Sequence, residues 1–159
     1  MKNHKYHVRV KWTGNDGQGT KTYKGYRRAH MISVDGKVPI QASSDPNFMG
    51  DSTRYNPEEL LVASLSSCHM LWYLHLCADN GITVLDYQDA ASGLMEEHND
   101  GSGDFVRVLL RPSVTISPGD DRVKALKLHA VAHSMCFIAR SVKFPVDTVP
   151  EIIEAPVVH

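Results

Sequence analysis

Asn56-Pro57-Glu58-Glu59-Leu60-Leu61, followed by Ser66-Ser67-Cys68-His69-Met70-Leu71-Trp72-Tyr73-Leu74-His75-Leu76-Cys77-Ala78 and then Asn80-Gly81, is the segment around which the chain is organised. Asn56 is a helix N-cap, Pro57 suits the first helical position, and Glu59 sits three residues after the cap, able to reach back to its amide. Glu58 is left without a local task. From Cys68 to Ala78 nearly every helical face is apolar, and Asn80-Gly81 is a left-handed terminator, so this segment belongs at the centre of a structure. Ser66-Ser67 can cap a second helix whose first turn holds Cys68, where unpaired amides and the helix dipole favour a thiolate.

Upstream the chain reads as strands. Tyr6, Val8, Val10 and Trp12 alternate with polar residues, Asn15-Asp16-Gly17 makes a turn, and a second run covers Tyr23 to Ile32. A short third strand around Val38 to Ala42 precedes a polar loop from Ser43 to Tyr55. Downstream, Ile82 to Tyr87 and Leu94 to Glu97 read as strand, and His98 to Gly103 as a turn. Phe105 to Ile116 reads as one long returning strand. Pro118-Gly119-Asp120-Asp121 opens a helix carrying Leu126, His129, His133 and Cys136, and the tail from Val142 is irregular or a single edge strand. The order is α+β, in one domain covering residues 1–159.

The 159 residues carry 17 Lys and Arg against 18 Asp and Glu, a formal charge of -1. That balance gives no electrostatic reason to expect nucleic acid or an anionic membrane as partner. No apolar leader and no stretch approaching the roughly 20 apolar residues of a membrane span are apparent, so a cytoplasmic protein is expected. Three cysteines, Cys68, Cys77 and Cys136, are too few and too odd in number for a secreted disulfide framework.

Peroxide reduction by a thiol needs the ionised sulfur, so Cys68 is the candidate nucleophile if its surroundings lower its pKa; otherwise it is a small core residue. Cys77 lies nine residues on, about 13 Å along a helix and on the opposite side, and cannot pair with Cys68. It reads as structural. Cys136 is then the residue able to condense with a sulfenic acid at Cys68.

With Asn56-Pro57-Glu58-Glu59-Leu60 leading to Ser67-Cys68-His69, ten residues from Glu58 to Cys68, and a second cysteine in Ala132-His133-Ser134-Met135-Cys136-Phe137, the sequence resembles the OsmC/Ohr family over nearly its whole length. The resemblance implies an α+β OsmC-like fold of antiparallel sheets around central helices, in an intertwined homodimer with two active sites at the subunit interface. It implies a thiol-dependent peroxidase that reduces organic hydroperoxides, with Cys68 peroxidatic and Cys136 resolving, no bound cofactor, and an external dithiol as reductant. A catalytic arginine paired with Glu58 is also implied. Its candidates are Arg27, Arg28 and Arg54, and period-two alternation, which sets Tyr26, Arg28 and His30 on one face, favours Arg28. Glu58 would orient the guanidinium that holds the thiolate. In one straight helix Glu58 would lie about 15 Å along the axis from Cys68, so this site requires a break near Ser64 to Ser67.

Two other readings remain open. His129, His133 and Cys136 share a helix face at metal-ligand spacing, with Cys68 or His69 as a further ligand. Leu71, Trp72, Phe105 and Phe137 suit a pocket for a lipid, which would make the chain a low-turnover binding or redox-sensing protein.

Overall fold

The computed structural model describes residues 1–157. The chain separates into two compact units, Met1–Leu60 and a second from Leu61 onward.

In the first unit, β1 (Arg9–Trp12), β2 (His30–Ser33) and β3 (Ile40–Ala42) form an antiparallel sheet in the order β1-β2-β3. The expected second strand is mostly not strand, because residues 23–29 fold back on the turn instead. Arg27 N donates to Gly14 O at 3.0 Å, and a side chain on Gly14 would meet the Arg27 carbonyl oxygen at 1.8 Å. Only glycine permits that crossing. The Asn15 side chain closes the turn by accepting from the Gly17 and Gly19 amides, both at 2.9 Å.

The central helix, α1 (Pro57–Asp79), starts as the sequence indicates: Glu59 N donates to Asn56 Oδ1 at 2.8 Å, and Asn56 N donates to Glu59 Oε2 at 3.1 Å. It ends at Gly81, whose φ of 72° is the left-handed stop. Between these caps it is unbroken, which corrects the expected interruption near Ser64 to Ser67. No proline or glycine occurs there, and the serines hydrogen-bond without opening the backbone ladder: Ser67 Oγ donates to Ser64 O at 3.3 Å, and Ser66 Oγ to Asp89 Oδ2 at 2.5 Å. Cys68 is therefore mid-helix, where all backbone amides are paired and the dipole gives no terminal charge. The 23-residue α1 is long and apolar enough to cross a membrane by length and composition, contrary to the expectation that no segment would be. Its buried residues, Leu65, His69, Tyr73 and Cys77, pack against the rest of the chain along one face.

The second unit holds β4 (Val84–Asp89), β5 (Ser92–Glu97), β6 (Gly103–Leu110), β7 (Pro112–Ile116), α2 (Arg122–Met135), β8 (Val146–Thr148) and β9 (Glu151–Glu154). The long returning strand is broken in two. Pro112 follows Arg111, and at this point β6 leaves its partner β5 and β7 takes up β4, so one kinked hairpin feeds two sheets. Asp89 Oδ1 accepts the Arg111 amide at 2.7 Å, while Arg111 Nη1 reaches Ser92 Oγ at 3.0 Å and staples the bend. The sheets run β4-β7-β9 and β5-β6-β8. They are mixed rather than purely antiparallel: the tail supplies two strands, β8 parallel to β6 and β9 parallel to β7.

Each sheet takes a different length of α1. Leu65 packs with Val108, Leu110 and Val146, whereas Tyr73 and Cys77 pack with Val114, Ile116, Ile152 and the α2 residues Ala125, Leu128 and Ala132. Close approach of α1 to β5 requires Gly93, where an added Cβ would lie 2.7 Å from the Phe105 ring and 2.8 Å from Val62. Cys68 lies between these two packing zones.

Candidate thiol site

The α2 helix begins with Asp121, which accepts the Lys124 amide at 2.9 Å, and ends at Cys136, its C-cap. The two helices are tied at matched positions. Tyr73 Oη donates to Ala125 O at 3.1 Å, His69 Nε2 lies 3.0 Å from His129 Nδ1, and Lys124 Nζ donates to Asn80 O at 2.8 Å. Rising residue numbers on α1 meet falling numbers on α2, so the helices run antiparallel. This register sets His129, in the middle of α2, against His69, in the middle of α1 and next to Cys68.

All three cysteines are free thiols, Cys68 partly exposed and Cys77 and Cys136 buried. Burial, and then the Cys68 thiol beside it, push the Cys136 thiol up to about 11. Ala139 N, donating to Cys136 Sγ at 3.4 Å, opposes this only in part. Cys136 is thus a buried thiol that stays protonated, and Cys68 is the one that solvent can reach. Cys77 is raised by burial, as expected of a structural thiol in the core. Trp72, one turn beyond Cys68, meets Phe137 edge-on at 5.7 Å between ring centroids, giving the thiol pair an aromatic flank. Phe137 is 66% and Leu71 63% exposed, while Phe105 packs on Phe144 in the other core zone.

The histidines next to the thiols, grouped by the sequence only as candidate metal ligands, are hydrogen-bonded directly to each other. His69 and His129 are 1% and 3% exposed, and Tyr73 stacks on His129 with centroids 3.8 Å apart. Burial lowers His69 to about 4, with exposed His133 adding to the shift and Asp89 opposing it. His129 falls to about 3 by burial and then by His69. Both rings are neutral at pH 7. Period-3.6 spacing puts His129 and Cys136 on one face of α2, but the direct bond from His69 to His129, in place of a shared metal, is visible only in the tertiary structure.

The metal reading finds no such cluster. His129 spends Nδ1 on His69, His133 is exposed, and among the described residues no three His, Cys, Asp or Glu side chains are grouped to hold an ion.

The arginine candidates differ in what they already hold. Arg27 is committed to Asp16, with Nη2 to Oδ1 at 2.6 Å. Arg28 donates to Tyr26 O and Tyr23 O, both at 2.6 Å, and lies over both tyrosine rings. Arg54 makes one long ion pair with Asp51, 3.6 Å from Nε, and leaves Nη1 buried without a partner. Glu58 Oε2 is likewise buried and unpartnered. Because α1 is unbroken, Glu58 and Cys68 of one chain are about 15 Å apart along the axis.

Residues 50–151 match the family described as OsmC-like protein. The chain is 34% identical to an OsmC-like protein of unknown function from Vibrio cholerae, with a TM-score of 0.84 over 93% of this chain and 99% of that one. An organic hydroperoxide resistance protein from Legionella pneumophila shares the fold at 17% identity and a TM-score of 0.66, covering 95% and 99% of the two chains. The uncharacterized protein YmaD of Bacillus subtilis is 24% identical across 92% of each chain.

Proposed function

Since this chain belongs to the OsmC-like protein family, which supports a redox or peroxide-stress role, we propose that it reduces organic hydroperoxides through Cys68 and Cys136. The observation that carries this reading is the pairing of a solvent-reachable thiol with a buried, protonated one at the junction of α1 and α2. The Cys68 thiolate attacks the distal peroxide oxygen, breaks the O–O bond and becomes a sulfenic acid, and the departing alkoxide takes a proton to leave as alcohol. The Cys136 sulfur then displaces hydroxide from Cys68, forming a disulfide and water. An external dithiol returns both thiols by exchange. Trp72 and Phe137 offer an apolar flank suited to an alkyl chain.

The working unit in this reading is a homodimer, with no bound cofactor, in the cytoplasm. Only 22% of the apolar window of α1 is buried within one chain. Away from its two ends, its exposed residues, Glu59, Ala63, Ser67, Leu71 and His75, recur every fourth position and form one uncovered stripe. A twofold crossing of two α1 helices at Ala63 sets Glu58 of one copy opposite Cys68 of the other, five residues to either side. That crossing removes the need for a helix break. Arg54 is then the arginine with hydrogen-bonding capacity to spare for Glu58 and a thiolate; Arg28 has spent two of its donors locally.

One equivalent of cumene hydroperoxide tests the chemistry by intact mass. The wild type should lose two hydrogens as Cys68 and Cys136 join, Cys136→Ser should stop at a trappable sulfenic acid, and Cys68→Ser should not react. Unaltered wild-type thiols under these conditions would turn the reading toward a binding protein.

A further inference from the structure

His69 and His129 are an expensive way to pack two helices. Both are buried, and beyond the 3.0 Å bond between them His69 Nδ1 and His129 Nε2 have no partner. A buried polar atom without a partner destabilises the fold, so selection for stability alone would favour apolar residues at both positions. What the pair supplies is direction. One facing nitrogen donates and the other accepts, along a line that tolerates little sliding or rotation of α1 against α2.

We infer that His69 and His129 are positioning residues for the thiol pair, their hydrogen bond fixing the register of α1 on α2 at which Cys68 meets Cys136. Cys68 is the neighbour of His69, so any movement of α1 that carries one carries the other. Sliding a helix by one residue advances it by about 1.5 Å and turns it by about 100°. A disulfide tolerates Cβ separations only near 3.5–4.5 Å, so such a slip breaks the sulfur contact. Tyr73 Oη to Ala125 O, four residues along each helix, is a second rung, but Tyr73 is a full turn farther from the sulfurs. The groups facing the pair are Asp89, His133 and Tyr73, and His69 feels Asp89 and His133 in opposite senses.

The inference rests on the Cys68–Cys136 pairing proposed above and not on hydroperoxide as the oxidant, so it is tested with glutathione. The Cys68 sulfur attacks glutathione disulfide and releases one glutathione thiolate; the Cys136 sulfur, giving its proton to water, displaces the second, and two electrons pass to glutathione. Full-length protein is equilibrated with reduced and oxidised glutathione, and the Cys68–Cys136 disulfide is quantified by mass. His129→Leu should lower the equilibrium constant about tenfold, or about 30 mV for this two-electron couple. His69→Gln combined with His129→Asn puts amide atoms where the facing imidazole nitrogens stand, and should restore the constant to within about threefold. Tyr73→Phe should leave it within about twofold. His69→Met makes the same cut from the other helix should His129→Leu not fold. An unchanged constant in the apolar variants, or an amide pair no better than leucine, overturns the inference while leaving the peroxidase reading standing. A wild type that forms no such disulfide overturns both.

Discussion

Ser66 on α1 donates its hydroxyl hydrogen to Asp89 Oδ2 at 2.5 Å, while the other carboxylate oxygen accepts the Arg111 amide at 2.7 Å. One side chain thus fastens the central helix to the bend where the hairpin divides between two sheets, one turn from His69. Hydrogen bonds to a charged group contribute about 1.5–3 kcal/mol each. Asp89→Ala should therefore cost about 3 kcal/mol in urea unfolding, and Asp89→Asn, which keeps the shape and loses the charge, about half of that. Equal midpoints for wild type and Asp89→Ala would show that the bend holds without the carboxylate.

Acid should weaken the protein through the histidine pair before its carboxylates protonate. His69 and His129 have folded values of about 4 and 3 against an ordinary value of 6.5. The unfolded chain therefore binds more protons than the folded one below 6.5, and stability rises with pH in that range. The contribution is complete above about pH 6.5 and is lost progressively as pH falls toward 4. Urea unfolding between pH 7 and 5 should show a loss of a few kcal/mol, which His69→Gln combined with His129→Asn should largely abolish. A wild-type profile as flat as that of the double variant would mean the rings are not neutral in the fold.

The α1 caps were legible because they are local: Asn56, Glu59 and Gly81 act within a few residues of themselves, and the same is true of Asp121 on α2. Strand ends decided by distant partners were not. Residues 23–29 alternate like a strand but are taken by Gly14, and Phe105 to Ile116 reads as continuous although Arg111 and Pro112 divide it between two sheets. The break at Ser64 to Ser67 was demanded by a mechanism confined to one chain, whereas that segment contains no proline or glycine to break the helix. At the site, the cysteine pair follows from motif and spacing. The His69–His129 bond joins residues 60 positions apart, and no periodicity within either helix marks it.

Ala63 lies on the uncovered α1 stripe, and its small side chain permits another helix to cross closely. Replacing it with arginine adds bulk and charge where a second copy is proposed to lie, and touches no thiol. Sedimentation of the wild type should give the mass of two chains at micromolar concentration, and Ala63→Arg the mass of one. The variant should also lose most of its hydroperoxide turnover, since Glu58 and Cys68 would no longer be brought together across the crossing. A monomeric wild type with full turnover would remove the dimer from the mechanism.

Arg54 and Arg28 make opposite predictions for the reactivity of Cys68. A guanidinium within hydrogen-bonding distance favours the thiolate, and one pKa unit changes its fraction about tenfold near neutral pH. Arg54 has an unpartnered, buried Nη1 close in sequence to the unpartnered Glu58 carboxylate oxygen, whereas Arg28 is held by two backbone carbonyls and two tyrosine rings. Iodoacetamide alkylation of Cys68 at pH 7, followed by peptide mass, should slow about tenfold in Arg54→Ala and change less than about twofold in Arg28→Ala. Arg54→Lys should recover part of the rate, since it restores charge without the planar fork that Glu58 is proposed to orient. Glu58→Gln should slow alkylation less than Arg54→Ala, because it loosens the cation without removing it. The reverse order for the two arginine variants would return the site to the second strand, and equal rates throughout would leave Cys68 without a cation of its own.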